Sequence, residues 1–190
     1  MFNDAFTVFP VLHTERLALR KLAEKDADSL NTCVCDPDWV QFTDYPPDCD
    51  FAKIIPLLNN EAYEAKAVLR WCIAQKSDDT CVGSIYLFFP HGDDTSGRRM
   101  EIGYEIVPAF RNKGYATEAI RQTVSYGFAE MGLVRIEALI MTGNTASMKT
   151  CEKAGFTKEG VLRKYRHYMY REPALHDMVI YSYLSGDARP

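Results

Sequence analysis

The stretch 100-MEIGYEIVPAFRNKGYATEAIRQ-122 decides the fold. Its first part, residues 100–107, alternates between apolar and other residues, a pattern that predicts a β-strand. Apolar residues then recur every three or four positions over 116–131, which predicts an amphipathic helix. The turn between them, residues 111–114, is basic and contains a glycine. The sequence therefore predicts a strand that passes through a basic turn directly into a helix.

This basic turn has the properties of an anion site. A helix N-terminus presents backbone N–H groups without partners and the positive end of the helix dipole. Gly114 allows a bulky anion to approach the backbone closely, and Arg111 and Lys113 add positive charge. The turn therefore suits a phosphate or pyrophosphate. Its spacing matches neither the P-loop nor the dinucleotide fingerprint, which disfavours a nucleotide-binding domain.

The composition of the chain limits the classes of function. Its 190 residues are 47% hydrophobic and 25% charged, as expected for one soluble globular domain. The net charge of −4 argues against a surface for nucleic acid. The six cysteines contain no C-x-x-C pair, so we expect reduced thiols in a cytoplasmic protein and no metal site. We also expect no signal peptide and no membrane span.

Hydrophobic periodicity and turn residues predict the order of the elements. Seven strands are expected, at 17–22, 68–75, 81–89, 100–107, 133–141, 160–170 and 177–184. Helices are expected at 24–35, at 51–67 with an interruption at Pro56, at 116–131 and at 144–153. Loops are expected at 36–50 and 90–99. This mixed order predicts an α/β or α+β domain with one central sheet.

Five segments in order resemble the GNAT N-acetyltransferases, and in particular the Rim-type branch, which acetylates ribosomal proteins. They are Thr14-Glu15-Arg16-Leu17, Val82-Gly83-Ser84-Ile85-Tyr86-Leu87, 101-EIGYEIVPAFRNKGYATEA-119, 144-NTAS-147 and 155-GFTKEGVLR-163. The resemblance runs from about residue 14 to 184. It implies one domain over 1–190, with an extension at 1–13 and a tail at 185–190. It also implies a mixed, mostly antiparallel sheet of about seven strands flanked by helices, splayed between its fourth and fifth strands.

The resemblance implies acetyl-CoA as the donor and no metal. The backbone of the fourth strand would bind the pantetheine arm in the splay, at Tyr104, Glu105 and Ile106. The turn would bind the pyrophosphate through the amides of Arg111, Asn112, Lys113, Gly114, Tyr115, Ala116 and Thr117. The N-x-x-S element adds Asn144 and Ser147 to the donor site.

The resemblance also implies direct attack of an amine on the thioester, with no covalent enzyme intermediate. Ser147 matches the serine that is proposed to protonate the leaving thiolate in Rim-type enzymes. Many GNAT members instead use a tyrosine in Y-x-x-x-G-F, and here Cys151 stands at that position. Cys151 is therefore either a second candidate acid or a packing residue.

The general base is not assigned by the sequence. Rim-type relatives can carry a glutamate on the sixth strand, but the corresponding residue here is Arg166. Glu101 and Glu105 are the candidates, because both precede the turn and alternation places them on the same strand face. His167 and His176 in the closing strands rank below Glu101.

The expected function is an acetyl-CoA-dependent N-acetyltransferase whose acceptor is a protein N-terminus or a small amine. The acidic and aromatic loop 36–50 is expected to border the acceptor groove and to suit a cation. An alternative is an inactive acyl-CoA-binding or sensor module, which the residues at 151 and 166 keep open. We expect no nucleic-acid or membrane partner, and a homodimer is left open.

Overall fold

The computed structural model describes residues 2–93, 97–170 and 174–187. Its centre is a single sheet of eight strands. The strands are β1 (Leu12–His13), β2 (Leu17–Lys21), β3 (Val68–Gln75), β4 (Cys81–His91), β5 (Arg98–Ile106), β6 (Leu133–Met141), β7 (Thr157–Tyr168) and β8 (Ala174–Leu184). The helices are α1 (Ala27–Val34), α2 (Pro37–Val40), α3 (Phe51–Leu57), α4 (Tyr115–Ala129) and α5 (Thr145–Ala154). Short 3-10 turns lie at Phe2–Phe6, Glu24–Asp26 and Pro108–Phe110.

The sheet order is β1-β2-β3-β4-β5-β6-β8-β7, and β5 with β6 is its parallel pair. The register of that pair ends where Glu101 lies beside Glu137. Beyond this point β5 stays paired with β4 up to Ile106, and β6 stays paired with β8 up to Met141. A gap therefore opens between the two halves of the sheet. The predicted splay between the strands at 100–107 and 133–141 is confirmed.

The sheet has one strand more than the seven that were predicted, because residues 12 and 13 pair with β2. The first 13 residues were expected to be an extension, yet Phe2 and Leu12 are buried. The ring of Phe9 packs edge-on against Trp71, and the indole of Trp71 donates a hydrogen bond to the Pro10 carbonyl at 2.8 Å. The N-terminal segment is therefore part of the core.

Two features of the helical region before β3 differ from the predictions. The expected loop 36–50 contains the single turn α2, at whose start the side chain of Asp36 accepts a hydrogen bond from the N–H of Asp38. Pro56 was expected to interrupt its helix, but it lies inside α3. A proline lacks the N–H that would bond four residues back, and the helix widens into a π-helical turn at Leu58–Ala62 immediately after it.

The sheet has two covered faces. The face on which α4 and α5 pack is called the α4 face, and it holds the larger apolar cluster. The opposite face, called the α1 face, is covered by α1 and α3. α4 is amphipathic as predicted, and its buried side consists of Ala119, Ile120, Thr123, Val124 and Gly127. Within the described residues, no helix is long and apolar enough to cross a membrane.

Gly83 on β4 sets how closely β4 approaches the free part of β5. A Cβ at this position would overlap the carbonyl oxygen of Glu105 and lie 3.1 Å from the Cα of Ile106. We therefore expect Gly83→Ala to destabilise the protein by about 1–3 kcal/mol, as overpacking does in other cores. Thermal unfolding measures this loss as a lower Tm. The matched control is Gly160→Ala on β7, where a Cβ meets nothing within 4 Å; equal Tm values for the two variants would contradict the prediction.

Candidate active site

The gap between β5 and β6 exposes a free strand edge. Past Glu101, β5 has lost its partner β6, so the backbone groups of Tyr104 and Ile106 face the opening. The carbonyl oxygen of Glu105, between them, points towards Gly83 of β4. An extended arm with amide groups can pair with such an edge as another strand would. The three residues expected to bind the pantetheine arm therefore lie together at the gap.

The basic turn lies at the end of β5, where the gap is open. Asn112 and Gly114 both adopt left-handed backbone conformations, with φ of 62° and 81°. This double turn directs the chain into α4, whose first residue is Tyr115. The first N–H groups of α4 have no carbonyl partners within the helix. Residues 111–117 therefore place the basic side chains and the first N–H groups of α4 at the mouth of the gap.

Arg16 and Glu118 hold this turn in place. Glu118 on α4 accepts hydrogen bonds from the backbone N–H of Arg16 at 2.9 Å and from its Nε at 2.7 Å. Arg16 also donates to the carbonyl oxygen of Lys113 at 3.0 Å, and its guanidinium lies 4.7 Å from the ring centre of Tyr115. The Thr14-Glu15-Arg16 motif thus supports the turn, a role that its position in the sequence did not indicate.

The other wall of the gap is formed by the start of α5. Asn144 caps this helix, accepting a hydrogen bond from the N–H of Ser147 at 3.1 Å. The hydroxyl of Tyr104 reaches across from β5 to the hydroxyl of Ser147 at 2.8 Å. It also lies 3.7 Å from the sulfur of Cys151. Four of the predicted site residues, Tyr104, Asn144, Ser147 and Cys151, are therefore linked by direct contacts.

Cys151 is fully buried, and burial raises the pKa of its thiol to about 11. The thiol is therefore protonated at neutral pH. Burial also raises the pKa of Tyr104 well above its ordinary value, so that its phenol keeps its proton.

Glu105 belongs to a closed polar cluster on the α1 face. Its carboxylate accepts hydrogen bonds from the guanidinium of Arg70 and from the hydroxyl of Ser84. Arg70 also donates to Ser84 at 2.8 Å and to the hydroxyl of Tyr45 at 2.9 Å. Burial alone would lower the pKa of Arg70, but Glu105 and Tyr45 hold it above its ordinary value. Glu105 therefore serves as the counter-charge of a buried arginine.

Glu101 contacts the residue that replaces the expected sixth-strand glutamate. One nitrogen of Arg166 lies 2.9 Å and 3.3 Å from the two carboxylate oxygens of Glu101. Arg166 pairs in register with His176, whose ring packs 4.9 Å from that of Tyr168. The Nε2 of His176 is buried and has no hydrogen-bond partner among the described residues. His167 alternates with Arg166 along β7 and pairs with Leu175.

Residues 36–50, called the strap, cross the α1 face from one half of the splayed sheet to the other. At one end Asp36 forms an ion pair with Arg111 of the turn. Further along, Asp44 accepts hydrogen bonds from the N–H groups of Met169 and Tyr170, at 2.8 and 3.0 Å. The strap therefore joins the turn after β5 to the β7–β8 hairpin.

The acidity of the strap has structural uses. Besides the contacts of Asp36 and Asp44, Asp50 caps α3 at 3.0 Å and accepts a hydrogen bond from Asn31 at 3.1 Å. These carboxylates are engaged within the protein, which weakens the interpretation that the loop is acidic in order to bind a cation.

The comparisons with known proteins agree with this geometry. The model of the acetyltransferase (GNAT) domain matches residues 16–157. The chain belongs to the GNAT acetyltransferase family. It is 36% identical over 177 residues to the N-acetyltransferase YoaA of Bacillus subtilis, covering 92% of this chain and 97% of YoaA.

Solved GNAT structures share the fold. A GNAT acetyltransferase from Bacillus anthracis superposes with a TM-score of 0.78 at 26% identity. The match covers 94% of this chain and 100% of the Bacillus anthracis chain. Mycobacterium smegmatis RimJ, solved in complex with CoA-disulfide, has a TM-score of 0.77 at 20% identity, and the match covers 92% of this chain and 87% of the RimJ chain. Rim-type acetyltransferases are thus among the structural neighbours of this GNAT protein.

One cluster outside the gap has metal-binding residue types. The ligand atoms of Asp26, Cys72 and Cys81 lie within 4.8 Å of one another, all buried. However, Arg20 binds both carboxylate oxygens of Asp26 at 2.7 and 2.9 Å, and the N–H of Ala23 donates to it at 2.8 Å. A cation here would face the guanidinium of Arg20, so the cluster is better explained as a buried ion pair beside two thiols.

Proposed function

We propose that this GNAT protein transfers the acetyl group of acetyl-CoA directly to an amine. The observation that carries the proposal is the continuity of the gap with the anion site. The free edge at 104–106 suits the amide-containing pantetheine arm, and residues 111–117 suit the pyrophosphate at its end. An acyl-CoA has these two features joined by one chain. The RimJ neighbour, which was solved with a CoA-disulfide, supports the same donor.

The proposed donor site assigns different roles to the two walls of the gap. The amides of Tyr104, Glu105 and Ile106 bond the pantetheine arm and the thioester carbonyl. The amides of Arg111, Asn112, Lys113, Gly114, Tyr115, Ala116 and Thr117 hold the pyrophosphate. Asn144 fixes the start of α5 and so presents Ser147 to the gap.

The proposed reaction needs stabilisation of an oxyanion, a proton for the thiolate and removal of a proton from the amine. A backbone N–H at the end of β5 serves the oxyanion. Ser147 protonates the thiolate, and Cys151, whose thiol is protonated at neutral pH, is the second candidate. Glu101 is retained as the candidate base. Glu101 pairs with Arg166, which is partly exposed, whereas the carboxylate of Glu105 is buried between Arg70 and Ser84, so Glu105 is not retained.

We propose a protein N-terminus or a small amine as the acceptor, reached from the α1 face beside the strap. The protein would act in the cytoplasm, where acetyl-CoA and such amines occur together. The strap and the β7–β8 hairpin enclose this side of the gap, and their contact through Asp44 limits the size of the opening.

The direct test incubates the purified protein with acetyl-CoA and a panel of N-terminal peptides and small amines. Released thiol and the mass of each acceptor are measured. We expect one class of acceptor to gain an acetyl group at a rate above the reaction without enzyme. Tight binding of CoA without any acetylated product would instead favour the sensor alternative. A protein that binds no acetyl-CoA at all would overturn both.

Gly114→Asp tests the anion site. Gly114 has a φ of 81°, and a Cβ there lies 3.4 Å from Arg16. The new carboxylate would repel the pyrophosphate, and two like charges about 4 Å apart cost roughly 1–4 kcal/mol near a surface. We therefore expect the Kd for acetyl-CoA, measured by calorimetry, to rise about tenfold or more.

Gly132→Asp is the matched control for this variant, because Gly132 also has a positive φ, 68°, and lies beyond the other end of α4. It should carry similar backbone strain and leave the Kd for acetyl-CoA unchanged. An unchanged Kd in Gly114→Asp would refute the proposed pyrophosphate site.

Asp36→Asn tests the link between the strap and the donor site. Asp36 forms an ion pair with the guanidinium of Arg111. Without this pair, the guanidinium would be available to bind the pyrophosphate. Partly exposed ion pairs contribute up to about 1 kcal/mol, so loss of this one should tighten acetyl-CoA binding by about two- to fivefold. Asparagine keeps the cap of α2. The exposed Asp38→Asn serves as the control, and equal Kd values in both variants would show that Asp36 does not compete with the donor.

A further inference from the structure

We propose that the side chain of Tyr104 positions the hydroxyl of Ser147 for proton donation to the leaving thiolate. This inference rests on the proposed function. It assigns a role to the side chain of Tyr104, a residue whose backbone alone had a proposed role until this point. Tyr104 is the residue of β5 that crosses the gap, because its hydroxyl contacts α5. The contact joins the two walls between which the thioester would lie.

Either hydroxyl can be the donor in the contact between Tyr104 and Ser147, and the proposal takes the phenol as the donor. The phenol of Tyr104 lies 2.8 Å from the hydroxyl oxygen of Ser147 and 3.2 Å from its carbonyl oxygen. A phenol that donates to the serine oxygen leaves the serine O–H free to donate elsewhere. With Tyr104 on one side and the start of α5 on the other, the free direction is the gap.

Burial keeps the phenol protonated, so that it is able to donate a hydrogen bond. Tyr104 packs against the main apolar cluster, and the cost of burying a phenolate raises its pKa well above the ordinary value. Tyr104 therefore does not give up its proton during turnover, and it serves as a fixed donor. A fixed donor also stabilises negative charge that develops on the oxygen of Ser147 when its proton leaves.

The proposed acetyl transfer accounts for every bond and every proton. The amine nitrogen forms a bond to the carbonyl carbon, the carbon–sulfur bond breaks, and its electron pair goes to sulfur. The Ser147 hydroxyl gives its proton to that sulfur. Glu101, the candidate base, takes the proton lost by the nitrogen, and this proton then passes through water to the Ser147 oxygen, so that the enzyme ends the cycle unchanged. Tyr104 keeps its hydrogen bond to Ser147 throughout.

Tyr104→Phe tests this role, since it removes one oxygen atom and keeps the ring in its packing. We expect kcat to fall about fivefold to tenfold, the usual effect of losing one neutral hydrogen bond, with the KM for acetyl-CoA unchanged. In a Ser147→Ala background the same change should lower kcat less than about twofold, because Tyr104 acts through Ser147. A purely structural tyrosine would produce the same loss in both backgrounds.

Tyr181→Phe is the matched control. Tyr181 is also a buried tyrosine that bonds α5, through Glu152 at 2.8 Å, and it lies on β8. The Tyr181→Phe variant should have a lower Tm than the wild type and an unchanged kcat. A wild-type kcat in Tyr104→Phe, or a full loss that persists without Ser147, would overturn the inference while acetyl transfer by the wild type stands. An inactive wild-type protein would instead overturn the proposed function itself.

Discussion

The end of the β5–β6 pairing at Glu101 and Glu137 is the constraint on which the site depends. Each strand keeps its other neighbour beyond that point, so the sheet remains continuous on both sides of the gap. The free edge is therefore held rigidly, as a preorganised binding site requires. α4 starts at one mouth of this gap and α5 forms its opposite wall, which brings the anion site and Ser147 to the same opening.

Buried polar contacts fix the positions of the strand residues beside the gap. On the α1 face, Arg70 and Glu105 tie β3 to β5, and Tyr45 of the strap joins them. On the α4 face, the hydroxyl of Tyr104 connects β5 with α5. Charged groups are costly to bury unless they are paired, so each of these contacts specifies one arrangement. The gap is thus an opening with fixed edges, which suits a donor that must present one reactive bond.

The sequence predicted the sheet, α4 and α5 because periodicity and glycine-containing turns are local signals. The splay was predicted from the resemblance to the GNAT family. It did not predict the partners of Glu105, since a side-chain pair such as Arg70 and Glu105 joins residues far apart in the chain. An arginine inside the apolar run 68-VLRWCIAQ-75 is a signal that could have indicated such a pair. The contacts of Asp36 with Arg111 and of Tyr104 with Ser147 likewise arise only when distant segments meet.

One acyl-CoA is proposed to occupy both the free edge of β5 and the turn before α4. Amide hydrogen exchange with and without acetyl-CoA tests this joint occupancy, because it reports on both segments in one experiment. We predict that acetyl-CoA slows exchange at residues 104–106 and 112–117 together. Saturating acetyl-CoA that protects other segments and leaves these two unchanged would contradict the account.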